Sequence, residues 1–361
     1  MKARIQRLSL PEGRRILAVS DVHGNLEYLR GVLSAAGFSP KDILFIVGDL
    51  LEKGENSLKT LRYVISLSKT HEVYAVSGNC DWWYPILYSD ELLSSQNTLW
   101  YVNNKPYNLA RQMCAEIGYP VSMDMDVRDM RDTLAAAFPE EFAFLRAMPE
   151  VIETERFTFV HGGLPGGEPE TWDAWKCMKH DAFLSEGRSF DKYVICGHWP
   201  VMLYHESYVD ANPIIDKSRR IVSIDGGCVL KDDGQLNALV IPDACSDDFS
   251  FFAYDRFPVR RALHRQAASE KSYYIRWGDN EVELLERGAE FSRCRHVRTG
   301  YVMDILTKYL TEKNGRIYTN DCTDYRPEIS PGDEVSVVET TSRGYFVKRR
   351  GISGWYLGEL E

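Results

Sequence analysis

At 361 residues, 44% of them apolar and 27% charged, the chain is long enough for one large domain and a smaller one with buried cores. A net charge of −10 argues against broad binding to a nucleic-acid backbone, although a metal site can build a local positive patch inside an acidic protein. No basic block, low-complexity tract or apolar run of membrane-spanning length occurs, and Met1–Gln6 lacks a signal peptide's apolar core, so a cytoplasmic protein without membrane attachment is expected.

The first half alternates strand and helix patterns. Ile16–Val19, Ile43–Val47 and Val73–Val76 are short runs rich in branched residues and read as strands. Leu26, Leu29, Leu33 and Ala36 recur at helical spacing before Gly37, and Leu58, Leu61, Ile65 and Ser68 do the same. Apolar runs joined by helices predict strands covered on both faces.

Residues 82–150 predict a helical insert or cap, with helices over Leu109–Gly118, Val127–Ala137 and Pro139–Met148. It opens on Trp82-Trp83-Tyr84-Pro85, a cluster that reads as packing or as a wall that could stack a base. Strand patterns return at Val151–Thr154, Phe157–Val160, Lys192–Cys196, Arg220–Ile224 and Leu236–Ile241, predicting a second mixed sheet, with a helix over Thr171–Leu184. Asp232-Asp233-Gly234 reads as a turn between the last two strands.

From about residue 254 the pattern changes to short strands and Gly turns. Glu281–Glu286 reappears as Glu334–Glu339, and Gly300-Tyr301-Val302 as Gly354-Trp355-Tyr356, offsets that predict two small β-barrels in tandem. The expected domains are 1–254, 255–320 with a linker, and 321–361.

Each strand of the first domain ends in glycine and metal-ligand residue types. The series is Asp21-Val22-His23-Gly24, Gly48-Asp49, Gly78-Asn79-Cys80-Asp81, His161-Gly162-Gly163 and Gly197-His198; a sixth strand ends in Asp225-Gly226-Gly227. Asp21, His23, Asp49, Asn79, His161 and His198 offer three imidazoles, two carboxylates and an amide oxygen. That suffices for two metals bridged by Asp49, and mixed N/O donors suit Mn, Fe or Zn. Two such cations polarise a phosphoryl group and hold a hydroxide for in-line attack. The eight cysteines include no Cys-x-x-Cys pair and, Cys80 apart, read as mostly reduced core thiols.

In motif order these stretches, with Glu52-Lys53-Gly54 after Asp49, resemble the phosphoprotein phosphatase branch of the calcineurin-like metallophosphoesterases, over residues 15–242. The resemblance implies a four-layer α/β sandwich of two mixed sheets flanked by helices. It implies hydrolysis of phosphoserine and phosphothreonine, one metal on Asp21, His23 and Asp49, and the other on Asp49, Asn79, His161 and His198. Bacterial relatives include diadenosine tetraphosphate hydrolases.

Three positions depart from the pattern. Cys80 stands where the family has a proton-donating His, leaving Asp81 without the imidazole it would orient. Lys53 stands where the family has a phosphate-clamping Arg, and a point charge does not replace a bidentate fork. Val76-Ser77 lacks the family's Arg before Gly78, and a further family Arg falls near His180 or Arg188. A thiol is a poor imidazole substitute, so the expected catalytic set is Cys80, Asp81 and Lys53 with impaired proton donation. Cys80 could also act as a redox-sensitive thiol.

Gly332–Glu339, Gly344–Arg349 and Gly354–Leu357 resemble a Src-homology-3-like barrel, and Glu281–Leu310 the bacterial form of it. In that family aromatic residues line a peptide groove, which would place Tyr345, Trp355 and Tyr356 there. Equally, Trp355 and Tyr301 could be core, with Lys348-Arg349-Arg350 a solvated strand edge. The expected substrate is a phosphorylated protein, with two alternatives: a dinucleoside polyphosphate, or a weakly active phosphatase-like scaffold binding peptides through its barrels.

Overall fold

The computed structural model describes residues 1–82 and 96–361. Trp83, Tyr84 and Pro85 of the aromatic cluster lie outside the described residues. The chain divides into two compact units. The first comprises Met1–Pro200, Pro213–Leu230 and Gly234–Asp255, and the second Val201–Asn212, Lys231–Asp233 and Arg256–Glu361.

The first unit is built on two sheets. In one, Ile16–Val19, Ile43–Val47 and Glu72–Val76 run parallel, with Leu236–Ile241 and Ser250–Tyr254 added antiparallel beyond Ile16–Val19. In the other, the order is Ile5–Arg7, Val151–Glu153, Phe157–Val160, Tyr193–Cys196, Ile221–Ser223, Ile214–Asp216. Its three strands Phe157–Val160, Tyr193–Cys196 and Ile221–Ser223 are mutually parallel.

The continuous apolar runs are explained by burial on both faces. Ile16, Ala18, Ile43, Phe45 and Val47 point towards Phe157, Phe159, Ile195 and Val222 of the other sheet, and Phe45 stacks on Phe159 at 3.8 Å between ring centroids. The alternate residues Leu17, Val19, Leu44 and Ile46 pack with the helices Leu26–Ala35 and Ser57–Ser68 and with the insert. The insert contributes the helices Gln96–Asn104, Leu109–Ile117, Val127–Ala137 and Pro139–Ala147. Asn108 and Asp126 cap two of them by accepting backbone N–H groups, and Gly118 ends the former in the left-handed conformation.

Two local expectations need correction. The helix over Thr171–Leu184 is instead a short helix, Ala174–Met178, between the 3-10 turns Pro169–Thr171 and Phe183–Glu186. The chain leaves helical geometry at Lys179, which is extended, and at Ala182, which has φ +53°. Leu236–Ile241 does not extend the second sheet but pairs with Ile16–Val19 in the first. Asp232 and Asp233 do form a turn between Ile221–Ser223 and Leu236–Ile241, but these strands lie in different sheets.

The second unit contains two five-stranded antiparallel sheets. Glu281–Glu286, Phe291–His296 and Val302–Leu306 form one meander, and Glu334–Thr341, Gly344–Arg349 and Ile352–Tyr356 the other. The sequence repeat has a structural counterpart. Each meander carries an irregularity in its first pairing, at Leu284/Glu286 and at Val337/Glu339, the same place in the repeat. The second meander is flanked by Val259–Arg261 and by Val209–Asp210, a strand contributed from the middle of the chain.

Tyr356 does not line a groove. It is fully buried, and its hydroxyl donates to the carbonyl of His264 at 2.8 Å. Trp355 donates from Nε1 to Thr323 O and packs against Phe291 and Phe346. Lys348 is not on a solvated edge: it is 3% exposed, with its ammonium over the Phe257 ring. Arg349 pairs with Asp333 at 2.9 Å. All eight cysteines are unpaired, and Cys114, Cys177, Cys196, Cys228 and Cys294 are buried. Among the described residues no helix is long and apolar enough to cross a membrane.

Candidate metal centre

Parallel pairing aligns the carboxyl ends of neighbouring strands, so the turns that follow them share one rim. Val19 pairs opposite Ile46, and Val47 opposite Val76, which places the turns bearing Asp21, Asp49 and Asn79 side by side. The turns extend the ladder beyond the strands: Asp21 N donates to Gly48 O, His23 N to Asp49 O and Gly24 N to Leu50 O, at 2.8–3.1 Å. In the second sheet, Gly197 N donates to His161 O at 2.9 Å and fixes the next pair of turns.

The backbone is forced where these side chains sit. Asp21, His23, Asp49 and His198 have φ between +48° and +66°. Such left-handed geometry costs about 1–3 kcal/mol per non-glycine residue and clusters at functional sites. Two glycines make the approach possible. A Cβ at Gly78 would fall on Asp49, and one at Gly197 on Ser20 Oγ and Asp21 Oδ2.

Specific hydrogen bonds aim each side chain. Asp21 Oδ2 accepts from Ser20 Oγ at 2.6 Å and from His198 N at 3.0 Å, while Oδ1 has no partner. Asp49 Oδ1 accepts from Cys80 N at 2.7 Å. His23 Nδ1 donates to Leu51 O at 3.3 Å, and His161 Nδ1 to Val47 O at 2.9 Å, which leaves both Nε2 atoms without hydrogen bonds. His198 Nε2 is held at 2.7 Å by Asp181 Oδ1, so Nδ1 is its remaining nitrogen.

The unpartnered atoms converge. Asp21 Oδ1 is 3.7 Å from His23 Nε2 and 4.0 Å from His161 Nε2. Asp49 places Oδ2 3.7 Å from His23 Nε2 and Oδ1 3.3 Å from His161 Nε2. Asn79 Oδ1 is likewise buried and unpartnered. Leaving such atoms unsatisfied is costly, and a cation would satisfy them together. Two groups of donors each fit within 4.8 Å: Asp21 with Asp49 and His161, and His23 with Asp49 and Cys80. Asp49 belongs to both. These groups differ from those implied by the family pattern: Asp21 falls with His161, and Cys80 joins His23.

Electrostatics agree with a cation site. Burial lowers the pKa of His23 to about 3 and that of His198 to about 4, so both rings are neutral donors. Burial also opposes charge on His161, but Asp49 and Asp21 outweigh it and raise its pKa to about 10, so the two carboxylates hold a positive charge there, a proton that a metal ion would displace. Asp21 rises to about 6 through burial, with Asp49 adding to the effect. Burial works against the Asp49 carboxylate too, yet His161, His23 and Lys53 hold it well below the ordinary range.

The other expected site residues sit around this cluster. Asp81 is buried, and its two oxygens accept from the backbone N–H groups of Leu50, Leu51 and Gly78 at 2.9–3.2 Å. It clamps two turns together and presents no oxygen to a substrate. Burial disfavours the Lys53 ammonium, but Cys80, Asp49 and Asp21 more than compensate and raise its pKa. Burial, reinforced by Asp49, pushes the Cys80 thiol well above its usual value, which does not suit a thiolate redox sensor. Arg188 donates to the carbonyls of Leu164 and Pro165, and His180 Nε2 faces Glu186 at 2.7 Å.

Two further carboxylates went unassigned in the sequence. Asp181 supports His198, and the break at Lys179–Ala182 is what frees it from a helix; nothing in the local pattern marks it. Asp225 is fully buried, with Oδ1 accepting from Gly227 N and Oδ2 unpartnered. Burial and Asp21 raise its pKa well above the carboxylate range. Its position at a strand end was the available signal.

A cavity of about 860 Å³ opens beside the cluster. Lys53, Asn79 and Cys80 form its polar end, and Trp82, Tyr107 and Trp175 its aromatic wall, with Trp82 and Trp175 5.0 Å apart between ring centroids.

Comparison with known proteins gives the family. Residues 14–226 match the family model described as calcineurin-like phosphoesterase. The symmetrical bis(5'-nucleosyl)-tetraphosphatase of Ectopseudomonas mendocina is 26% identical over 167 residues, which are 44% of this chain and 60% of that protein. Its counterpart from Pseudomonas syringae pv. syringae is 28% identical over 167 residues, 44% of this chain and 56% of that protein. The chain thus spans less than two thirds of the length of these relatives. Among solved structures, a protein serine/threonine phosphatase from Saccharomyces cerevisiae is 11% identical, covering 71% of this chain and 85% of its own, with a TM-score of 0.40. The matched model covers more than half of the chain, including the strand ends that carry Asp21, Asp49, Asn79, His161 and His198, and the chain belongs to the calcineurin-like phosphoesterases.

Proposed function

We propose that this chain is a dinuclear metal-dependent phosphoesterase of the phosphoprotein phosphatase type. The observation that carries the reading is the convergence of unpartnered, buried atoms of Asp21, His23 and His161 around the Asp49 carboxylate, with Asn79 Oδ1 also buried and unpartnered. Asp21, His23, Asp49, Asn79, His161 and His198 would hold two divalent cations, with Asp49 common to both donor groups. When bound, these supply Lewis acidity at the phosphoryl group and lower the pKa of water. Lys53 places a positive charge at the mouth of the cluster, where a phosphate oxygen would sit. Asp81 positions the turns that carry Asp49 and Asn79. Cys80 occupies the place of the family's proton donor, so leaving groups that need no proton are handled best. We read the two C-terminal meanders as Src-homology-3-like barrels.

A second reading keeps the site and changes the substrate to a dinucleoside polyphosphate. The aromatic wall of Trp82, Tyr107 and Trp175 favours it, because a nucleobase can stack there while its phosphates reach Lys53. The two curated relatives are named for that activity.

Metal content per chain, measured with p-nitrophenyl phosphate hydrolysis, tests the shared part. Two metals and metal-dependent turnover are expected; zero or one metal would end the dinuclear reading. Two metals without hydrolysis under any metal or pH would point to a binding role instead. Parallel assays on a phosphopeptide and diadenosine tetraphosphate separate the substrates.

Asp181→Asn tests the outer shell. Carboxylates that orient a metal-binding His contribute about 10–100-fold to metal affinity. The variant is expected to lose affinity for one metal by that order in chelator competition, with its circular dichroism unchanged. Unaltered affinity would show that Asp181 does not position His198.

A further inference from the structure

We propose that Cys80 is itself a metal ligand, its thiolate joining His23 and Asp49 on one of the two ions. The inference rests on the dinuclear reading and refines which atoms hold the metals.

Cys80 Sγ, a ring nitrogen of His23 and a carboxylate oxygen of Asp49 lie within 4.8 Å of one another, close enough to meet at one ion. His23 is 0% exposed, and its Nε2 has no hydrogen-bond partner while Nδ1 is committed to Leu51 O. An acceptor nitrogen so enclosed calls for an electrophile beside it, and the sulfur is a neighbour that would share that electrophile.

The contacts of Cys80 position its sulfur for a metal ion that would displace the thiol proton. The Cys80 backbone is fixed by its N–H to Asp49 Oδ1 at 2.7 Å, which locks the residue to the carboxylate that both donor groups share. Asn79 Nδ2 donates to Sγ at 3.3 Å. That contact does two things: it directs an N–H at the sulfur, and it turns Asn79 Oδ1, unpartnered and buried, the other way. N–H groups aimed at a ligand sulfur are the outer-shell support that tunes thiolate sites. Lys53 adds a positive charge near the same atom.

The chemistry balances simply. On metal binding the thiol loses its proton to solvent and a metal–sulfur bond forms, with no change of oxidation state. Two consequences follow. A sulfur engaged in this way cannot also protonate a leaving oxygen. A soft ligand on one side of the centre biases that position towards zinc or iron over manganese, making the two positions unequal.

X-ray absorption of the zinc-reconstituted wild type tests the proposal without a substitution, alongside zinc content. Two zinc ions and a sulfur shell at about 2.3 Å, in addition to N/O at about 2.0–2.1 Å, are expected. Cobalt(II) in the same protein should give a sulfur-to-metal charge-transfer band that is lost in Cys80→Ser and kept in Cys196→Ser. Two zinc ions with N/O neighbours only would overturn the Cys80 ligand and leave the dinuclear reading standing. Fewer than two zinc ions would overturn that reading and the inference with it. A band that persists in Cys80→Ser would assign the sulfur to another cysteine and overturn the proposal.

Discussion

Asp49→Asn is expected to leave a folded protein that retains at most one metal ion and hydrolyses p-nitrophenyl phosphate on the order of 10³-fold more slowly. The size follows from position. Asp49 is the one residue common to both donor groups, so its loss weakens two sites together. The fold should survive, because Asn keeps the Oδ1 acceptor that Cys80 N uses at 2.7 Å. It should also accept the left-handed backbone, φ +48°, at least as readily as Asp. What changes is Oδ2, 3.7 Å from His23 Nε2, which becomes an NH₂ and can bind no cation. Metal analysis, circular dichroism and steady-state kinetics check the three parts. Two metals bound with wild-type turnover would remove Asp49 from the centre.

Cys80→His should act in the opposite direction and selectively. General acid catalysis contributes about 10²–10⁴-fold when the leaving group needs a proton. Alkyl phosphate monoesters leave as poorly stabilised alkoxides, whereas p-nitrophenolate leaves unaided. The variant is expected to raise turnover of an alkyl monoester by roughly 10²-fold. The gain on p-nitrophenyl phosphate should be much smaller. The cavity of about 860 Å³ beside Cys80 gives the larger imidazole room. Alkyl turnover that stays level or falls would show that the missing imidazole is not what limits this chain.

Much of the first unit could be read in advance because its signals are local. Ile43–Val47 is apolar throughout because both faces of the strand are buried, and it ends where the pattern ends. The helix Val127–Ala137 announces itself by Asp126 before it and an apolar stripe along it. Ligand types at strand ends were legible for the same reason: each is set by a strand, a glycine and the residue beside it. Sheet membership was not. Leu236–Ile241 is as apolar as a strand of either sheet, and only long-range pairing assigns it to Ile16–Val19. Nor could the pattern show that Val201–Asn212 belongs with the C-terminal residues. Lys348 and Tyr356 look like surface chemistry by type, but Lys348 lies over a ring and Tyr356 reaches a buried carbonyl. Cys80 was singled out as an absent imidazole, and only coordinates place its sulfur beside His23 and Asp49.

The left-handed backbone at Asp21, His23, Asp49 and His198 links metal supply to the lifetime of the folded chain. Each such residue holds about 1–3 kcal/mol of conformational cost that local contacts alone do not repay. An ion that binds this arrangement and not the unfolded chain stabilises by mass action, about 2.7 kcal/mol at a concentration 100 times its dissociation constant. Withdrawal of the ions would therefore do more than stop turnover. It would raise the unfolded fraction, and with it exposure to proteolysis, so that a chain short of metal would be depleted as well as idle.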